Sequence, residues 1–146
     1  MPARKPVSGK KHYTADEANA ALPLVRAIIR DITALAHDLR ERHERLAHLR
    51  PSSKDGLSDA HHEELEQARA EIEGGKEKMQ ELEKELKQLG IELKDYFSGL
   101  IDFPCWMDGR EVFLCWRQGE AEVAHWHELD AGFSGRHKLH VNAGAV

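Results

Sequence analysis

The fold of the C-terminal half of this chain is decided by residues 101–117, whose sequence is IDFPCWMDGREVFLCWR. Asp108-Gly109 lies between two apolar runs, and this dipeptide is a strong signal for a two-residue β-hairpin turn. A turn at these residues pairs Asp102 with Cys115 across the two strands. Because directly opposed residues share a face of the sheet, the pairing divides this stretch into an apolar face and a more polar one.

The apolar face of the hairpin is the expected core face, and it carries Ile101, Phe103, Cys105, Val112, Leu114 and Trp116. The other face carries Asp102, Trp106, Glu111, Phe113, Cys115 and Arg117. The two cysteines fall on opposite faces, so no disulfide between them is expected. Pro104 has no amide hydrogen, which predicts that its strand lies at a sheet edge.

The next expected strand covers residues 122–129, where His125 and His127 project from one face two residues apart. Neutral imidazoles in this arrangement can chelate a transition metal. If Arg117 pairs with Glu122, both histidines lie on the core face as structural residues.

A shift of one residue in this register moves both histidines to the face with Asp102 and Cys115, where a metal or thiol site can form. The sequence leaves these two registers open. The candidate metal ligands are His125, His127, Cys115 and Glu128, with Asp102 as a further donor. The metals considered are zinc, iron and copper.

Residues 14–89 predict a long antiparallel hairpin of two helices. Thr14 and Glu17 have the form of a capping box at the start of the first helix, expected over residues 14–50. The second helix is expected over residues 59–89, and Gly90 suits a Schellman-type end. Both helices repeat apolar residues every seven positions, which predicts a coiled-coil-like seam between them. In the first helix the two series are Val25, Ile32, Leu39, Leu46 and Ala21, Ile28, Leu35, Leu49, and the second series is broken once, at Arg42.

Two features interrupt the regular helices. Pro23 leaves the carbonyl of Asn19 without its amide partner, so the first helix should bend there, and the freed carbonyl is a candidate ligand contact. Gly74-Gly75 either permits close approach of another helix or marks a weak point. Apolar residues outside the seam, including Leu22, Ile29 and Ala36, predict a homodimer with a four-helix arrangement.

Composition limits the class of protein. The 146 residues carry a net charge of −5, which argues against nucleic-acid binding. There is no apolar run of the roughly 20 residues that span a bilayer, and cytoplasmic location is expected. Residues 1–12 are expected to be a disordered basic tail and residues 141–146 a flexible C-terminus. Residues 13–140 are expected to form one α+β domain, with its small antiparallel β unit over residues 91–130.

The loop after Asp130 contains Gly132 and Gly135 and is expected to bring Arg136 close to the sheet. A guanidinium beside backbone amides suits a carboxylate or a phosphate. The alternative is a structural arginine that is paired with Asp130 or Glu128.

Several motifs together resemble one family. They are residues 13–23 (YTADEANAALP), 91–95 (IELKD), 99–104 (GLIDFP), 109–117 (GREVFLCWR), 125–130 (HWHELD) and 132–136 (GFSGR). From Tyr13 to Arg136 the chain is similar to the bacterial domain-of-unknown-function family 2203. The resemblance implies the domain outline and no particular reaction. It also draws attention to polar residues that packing does not demand, and these are expected to converge where the bent first helix meets the sheet.

The residues in question are Asn19, Asp102, Arg110, Arg117, His127 and Arg136. All of them except His127 are candidate ligand-binding residues for an anionic group. The first functional hypothesis is a non-enzymatic adaptor that self-associates through its hairpin and recognises a small anionic ligand or a partner protein through its β unit. The alternative is a metal- or cofactor-binding protein, possibly a redox or hydrolytic enzyme. A dry, apolar histidine environment favours the first hypothesis, whereas a polar cluster within coordination reach of one point favours the second.

Overall fold

The computed structural model of the protein describes residues 10–49 and 59–140. Two helices come first, α1 at Ala15–Leu49 and α2 at Asp59–Gln88. Five strands follow, β1 at Glu92–Asp95, β2 at Leu100–Met107, β3 at Arg110–Arg117, β4 at His125–His127 and β5 at His137–Lys138. They form one antiparallel sheet in chain order. The predicted α+β arrangement of a helical hairpin followed by a small antiparallel sheet is therefore confirmed.

Three stretches of the chain that carry predictions from the sequence lie outside the described residues. These are residues 1–9 of the expected tail, the link at residues 50–58, and the C-terminal residues 141–146. Lys10 and His12, which the sequence assigned to the tail, both contact Glu111 on the β unit, at 2.6 and 2.7 Å. In the described part of the chain, no helix combines the length and apolar character that crossing a membrane requires.

Local sequence signals set the ends of the helices. Thr14 Oγ1 accepts a hydrogen bond from the amide of Glu17 at 3.1 Å, and the Glu17 carboxylate accepts one from the amide of Thr14 at 2.9 Å, which completes the capping box. At the end of α2, Gly90 has a φ of 77° and the amide of Ile91 donates to the carbonyl of Leu86 at 3.1 Å. This is the predicted Schellman end.

The two irregular positions have different outcomes. α1 continues as one helix through Pro23, so the proline does not end it. The bend at Pro23 and the ligand contact of the Asn19 carbonyl stay predictions. Gly75 faces α1, since a Cβ built there would lie 2.5 Å from Cδ2 of Leu39, whereas a Cβ at Gly74 would meet nothing within 4 Å. Gly75 therefore permits close approach of the two helices, as one of the two interpretations of this pair predicted.

The β2–β3 hairpin has the predicted turn and register. Asp108 and Gly109 have φ values of 52° and 79°, the left-handed pair that a type I′ turn requires. Asp102 pairs with Cys115, and Phe103 pairs with Leu114. Both cysteines are buried and free.

One continuous core joins the helices to the apolar face of the sheet. Leu22, Ile29 and Ala36, which predicted a dimer surface, are 3%, 0% and 6% exposed and belong to this core. The prediction that Leu22 and Ile29 meet a second chain is wrong, because the chain's own core buries them. Ala36 is buried in the same core and also lines a groove between the two helices. The predicted homodimer would have to use a surface other than that of Leu22 and Ile29.

The prediction that the strand of Pro104 lies at a sheet edge is also wrong, because β2 lies between β1 and β3. The missing amide is tolerated since β1 pairs only with residues 100–102 of β2. Beyond that point the carbonyl of Pro104 accepts a hydrogen bond from the amide of Tyr13 at 2.7 Å. An interior strand can therefore hold a proline where its neighbour has already ended.

Candidate functional site

The register of β4 decides where the two histidines lie. Cys115 pairs with His125 and Phe113 pairs with His127. Trp126, between the two histidines, pairs with Leu114 and packs against the core. Of the two registers that the sequence left open, the structure has the one that turns both histidines away from the core and towards the face with Asp102 and Cys115.

Three side chains from three neighbouring strands meet on this face. Asp102 on β2, Cys115 on β3 and His127 on β4 are 2%, 0% and 2% exposed. One ligand atom from each (a carboxylate oxygen, the thiol sulfur and a ring nitrogen) lies within 4.8 Å of the other two. We refer to these three residues as the Asp-Cys-His cluster. They lie on the side of the sheet opposite α1, because the core residues of β2 and β3 alternate with them along the strands.

Both ring nitrogens of His127 face oxygen atoms. Nδ1 lies 2.8 Å from the carbonyl oxygen of Glu128, which can only accept, so Nδ1 carries a proton. Nε2 lies 3.0 Å from Oδ1 of Asp102. This contact is a hydrogen bond only when one proton is shared between the two side chains. Burial raises the pKa of Asp102, and the bond to His127 offsets that effect in part.

The thiol of Cys115 is held in its protonated form in the absence of a metal. Burial, together with the charge of Asp102, raises the pKa of Cys115 to about 11, although the Arg136 guanidinium acts in the opposite direction. Burial also raises the pKa of Cys105 to about 11, on the opposite face of the sheet. A free thiolate nucleophile at neutral pH is therefore not supported at either position.

Arg136 closes the cluster on the side of the C-terminal segment. Its guanidinium donates to both carboxylate oxygens of Glu120, at 3.0 and 2.6 Å, and its charge favours the thiolate form of Cys115. The sequence named Asp130 or Glu128 as structural partners of Arg136, but the partner is Glu120. Glu120 was missed because it lies in a Gln-Gly-Glu turn whose sequence indicates only a change of direction. Its carboxylate is fixed locally, by the amide of Arg117 at 2.8 Å.

The other candidate ligand-binding residues have structural partners. The side-chain amide of Asn19 accepts from the amide of Val123 at 2.7 Å and donates to its carbonyl at 3.2 Å. Asn19 thereby ties α1 to the segment before β4. The predicted convergence where α1 meets the sheet is wrong, because Asp102, His127 and Arg136 meet on the opposite side and Asn19 is not among them.

The remaining candidates do not belong to the cluster. Arg110 is bound to Glu128, with its Nε 3.1 Å from a carboxylate oxygen, so Glu128 is held by an ion pair outside the cluster. The Arg117 guanidinium lies 4.6 Å from the centre of the Phe133 ring. His125 Nδ1 lies 3.9 Å from a carboxylate oxygen of Glu120. His125 and Glu128, two of the predicted metal ligands, thus lie outside the cluster.

The cluster has the chemistry of a metal centre. A thiolate, an imidazole and a carboxylate are the three ligand types of zinc sites. A ligating histidine usually donates its second ring N–H to a carbonyl or carboxylate, which fixes the tautomer. His127 has this second partner in the carbonyl of Glu128. The residues present therefore fit a transition metal bound through Nε2 of His127.

The protein is of the α+β class. A long helical hairpin packs against one face of a five-stranded antiparallel sheet, and the Asp-Cys-His cluster lies on the other face. A family profile, described as an uncharacterized conserved protein (DUF2203), matches residues 11–139 of the chain. The chain belongs to the DUF2203 family, as the resemblance in its motifs predicted. Comparison with curated proteins and with solved structures gave no significant match in either case.

Proposed function

We propose that the protein is a metal-binding protein that holds a transition metal, zinc in the first place, through Asp102, Cys115 and His127. The observation that carries this proposal is the burial of three different ligand types within 4.8 Å of one another. Of the two hypotheses from the sequence, this is the alternative one. It is favoured here because the histidine environment is polar and its groups lie within reach of one point.

The distances suit a small tetrahedral ion. Zinc–ligand bonds are about 2.0–2.3 Å long, so neighbouring ligand atoms lie about 3–4 Å apart. Nε2 of His127 and Oδ1 of Asp102 are already 3.0 Å apart. Little movement of either side chain is needed to admit the ion between them.

The charges of the cluster also fit a divalent cation. A bound metal deprotonates a coordinating thiol outright, so the high pKa of Cys115 does not prevent binding. The thiolate and the Asp102 carboxylate then neutralise the two charges of the ion, while neutral His127 adds none. Nearby, Arg136 and Glu120 form their own neutral pair. Such a balance makes a buried ionic site tolerable.

The burial of all three ligands favours retention of the metal over turnover of a substrate. Catalytic zinc sites keep a fourth position open to solvent or substrate, whereas the side chains of Asp102 and His127 are each 3% exposed. The proposal is therefore for a structural, storage or sensing role, in which a fourth ligand that these three side chains do not supply completes the tetrahedral ion. Recognition of a small anion, part of the first hypothesis, has less support because Arg110 and Arg136 are each paired with a glutamate.

Metal content tests the proposal directly. The untagged 146-residue chain is analysed by inductively coupled plasma mass spectrometry as purified, and by titration with Zn²⁺ after treatment with a chelator. The variants are Cys115→Ser and His127→Gln, and the matched control is Cys105→Ser, which alters the other buried cysteine on the opposite face. Circular dichroism establishes that each variant is folded.

We expect close to one zinc per chain in the wild type and in Cys105→Ser, and at least a tenfold loss of affinity in folded Cys115→Ser and His127→Gln. The proposal is overturned if zinc-supplemented wild type binds no metal. It is also overturned if Cys105→Ser loses metal as completely as Cys115→Ser does.

A further inference from the structure

Two consecutive aromatic side chains project from the turn between β1 and β2. Tyr96 and Phe97 are both 41% exposed. Among the described residues, the other large apolar side chains with comparable exposure are Leu24 and Leu129, at 57% and 48%. Those two are single residues at separate positions, and isolated exposed leucines are common on protein surfaces. Tyr96 and Phe97 instead belong to a continuous patch.

The patch is a groove of about 430 Å³ between the two helices and the turn. Its apolar lining includes Leu39 of α1 and Met79 of α2 as well as the two aromatic rings. A contiguous apolar surface that is left exposed is a candidate interaction site. Because α1 and α2 both contribute to the groove, a partner seated there would pack against the helical hairpin as well as the β unit.

Opposite charges border the groove on its two sides. On the α1 side lies Arg40, whose guanidinium is 4.4 Å from the centre of the Phe97 ring. On the α2 side lies Glu83, which accepts a hydrogen bond from the hydroxyl of Tyr96. The groove therefore has one basic and one acidic border, and it is complementary in charge to itself.

We propose that this groove is the interface of a homodimer and that its occupant is the same groove of a second copy of the chain. A two-fold axis parallel to the groove places the α1 border of each copy against the α2 border of the other. The basic border of each copy then faces the acidic border of the other, and the exposed aromatic rings are buried between them. Such self-complementarity is what a two-fold interface requires. The inference does not depend on metal binding.

Analytical ultracentrifugation of the full chain over a range of concentrations tests this interface. We expect a dimer in the wild type and, in Phe97→Glu, a dissociation constant raised by about tenfold or more, because a charge replaces a central aromatic contact. Leu129→Glu and Leu24→Glu are the matched controls. They place the same charge on exposed leucines elsewhere, and we expect them to dimerise like the wild type.

A charge-swap experiment distinguishes a second copy from any other occupant. Arg40→Glu and Glu83→Arg should each dimerise poorly alone, since each puts like charges on both borders of the groove. When the two variants are mixed, every contact between the borders again joins opposite charges, so a heterodimer should form. Circular dichroism controls for folding, because Glu83→Arg also removes the bond to Tyr96.

The proposal is overturned by a wild type that stays monomeric throughout the concentration range. It is equally overturned if Phe97→Glu and Leu129→Glu weaken the dimer to the same extent, or if the mixed charge variants, both folded, form no heterodimer.

Discussion

His127 Nε2 lies 3.0 Å from Asp102 Oδ1 in the interior of the domain, and the side chain of each residue is 3% exposed. The bond reaches from β4 to β2 across the intervening strand β3. Since the carbonyl of Glu128 fixes the other ring nitrogen of His127, Nε2 of this ring is directed at Asp102. In the absence of a metal, the pair therefore contributes to the stability of the sheet.

Removal of the Asp102 carboxylate should show how much the hydrogen bond to His127 contributes to the free energy of unfolding. In metal-free protein with chelator present, we expect Asp102→Ala to lower the free energy of unfolding by about 2–4 kcal/mol, because the His127 ring is left buried with an unpaired nitrogen. Asp102→Asn keeps a hydrogen-bonding group in place and should cost about 1 kcal/mol. Urea unfolding followed by tryptophan fluorescence measures both. Asp130→Ala, at an exposed carboxylate, is the control, and equal losses in Asp102→Ala and Asp130→Ala would contradict the prediction.

Cobalt substitution should report directly on the thiol of the cluster. Co²⁺ accepts the same ligands as zinc in tetrahedral sites, and a bound thiolate gives an intense ligand-to-metal charge-transfer absorption. We expect this absorption in the wild type and in Cys105→Ser, and its loss in Cys115→Ser. Absorption spectra recorded during a Co²⁺ titration make the measurement. An unchanged spectrum in folded Cys115→Ser would show that Cys115 is not a ligand.

The sequence predicts those parts of the fold that depend on neighbours in the chain. Thr14 and Glu17 satisfy each other's amides, Gly90 ends α2, and Asp108-Gly109 closes the β2–β3 hairpin. Each of these structures is determined within a few residues, so a local pattern is sufficient to identify it.

The parts that could not be predicted depend on contacts that are distant in sequence. The register of β4 was open because a shift of one residue reverses every side chain. A signal was present, however, since Trp126 favours the core and its two histidine neighbours must then face the other way. No comparable signal pointed to Glu120, whose role depends on Arg136 16 residues later. Likewise, nothing in α1 alone indicates that the sheet covers Leu22 and Ile29.

The contacts of Glu111 predict how stability changes with pH in acid. Burial raises the pKa of Glu111, but the hydrogen bonds and charges of Lys10 and His12 outweigh this effect, so the net pKa is lowered. A carboxylate whose folded pKa is lowered stabilises the protein above its unfolded pKa and loses that contribution as the pH falls through the folded value. The loss should therefore begin below about pH 4.5, the ordinary value for a glutamate.

Accordingly, wild type should be more stable than Glu111→Gln at pH 6, and the difference should shrink towards zero below pH 4.5. Urea unfolding at a series of pH values measures the difference. Glu122→Gln, which changes an exposed glutamate, should show a smaller difference that varies less over the same range. A wild-type advantage over Glu111→Gln that stays constant into strong acid would show that the contacts of Glu111 contribute nothing.

The neighbouring glycines of α2 should respond differently to the same substitution. Replacing a mid-helix glycine with alanine stabilises an exposed position by about 1 kcal/mol, since alanine has the better helix propensity. Gly74→Ala should show this full gain because its Cβ meets nothing within 4 Å. At Gly75 the new Cβ would lie 2.5 Å from Cδ2 of Leu39, so that side chain must move and the packing between the helices is disturbed.

We therefore expect Gly75→Ala to be less stable than Gly74→Ala by about 1–2 kcal/mol. Thermal and urea unfolding of the two variants beside wild type gives the comparison, and the pair serves as its own control for helix propensity. If Gly75→Ala is stabilised as much as Gly74→Ala, Leu39 has room to move aside, and the close approach of α1 and α2 at Gly75 does not constrain the hairpin. If Gly75→Ala falls below wild type, the absence of a side chain at residue 75 is itself a requirement of the packing between the two helices.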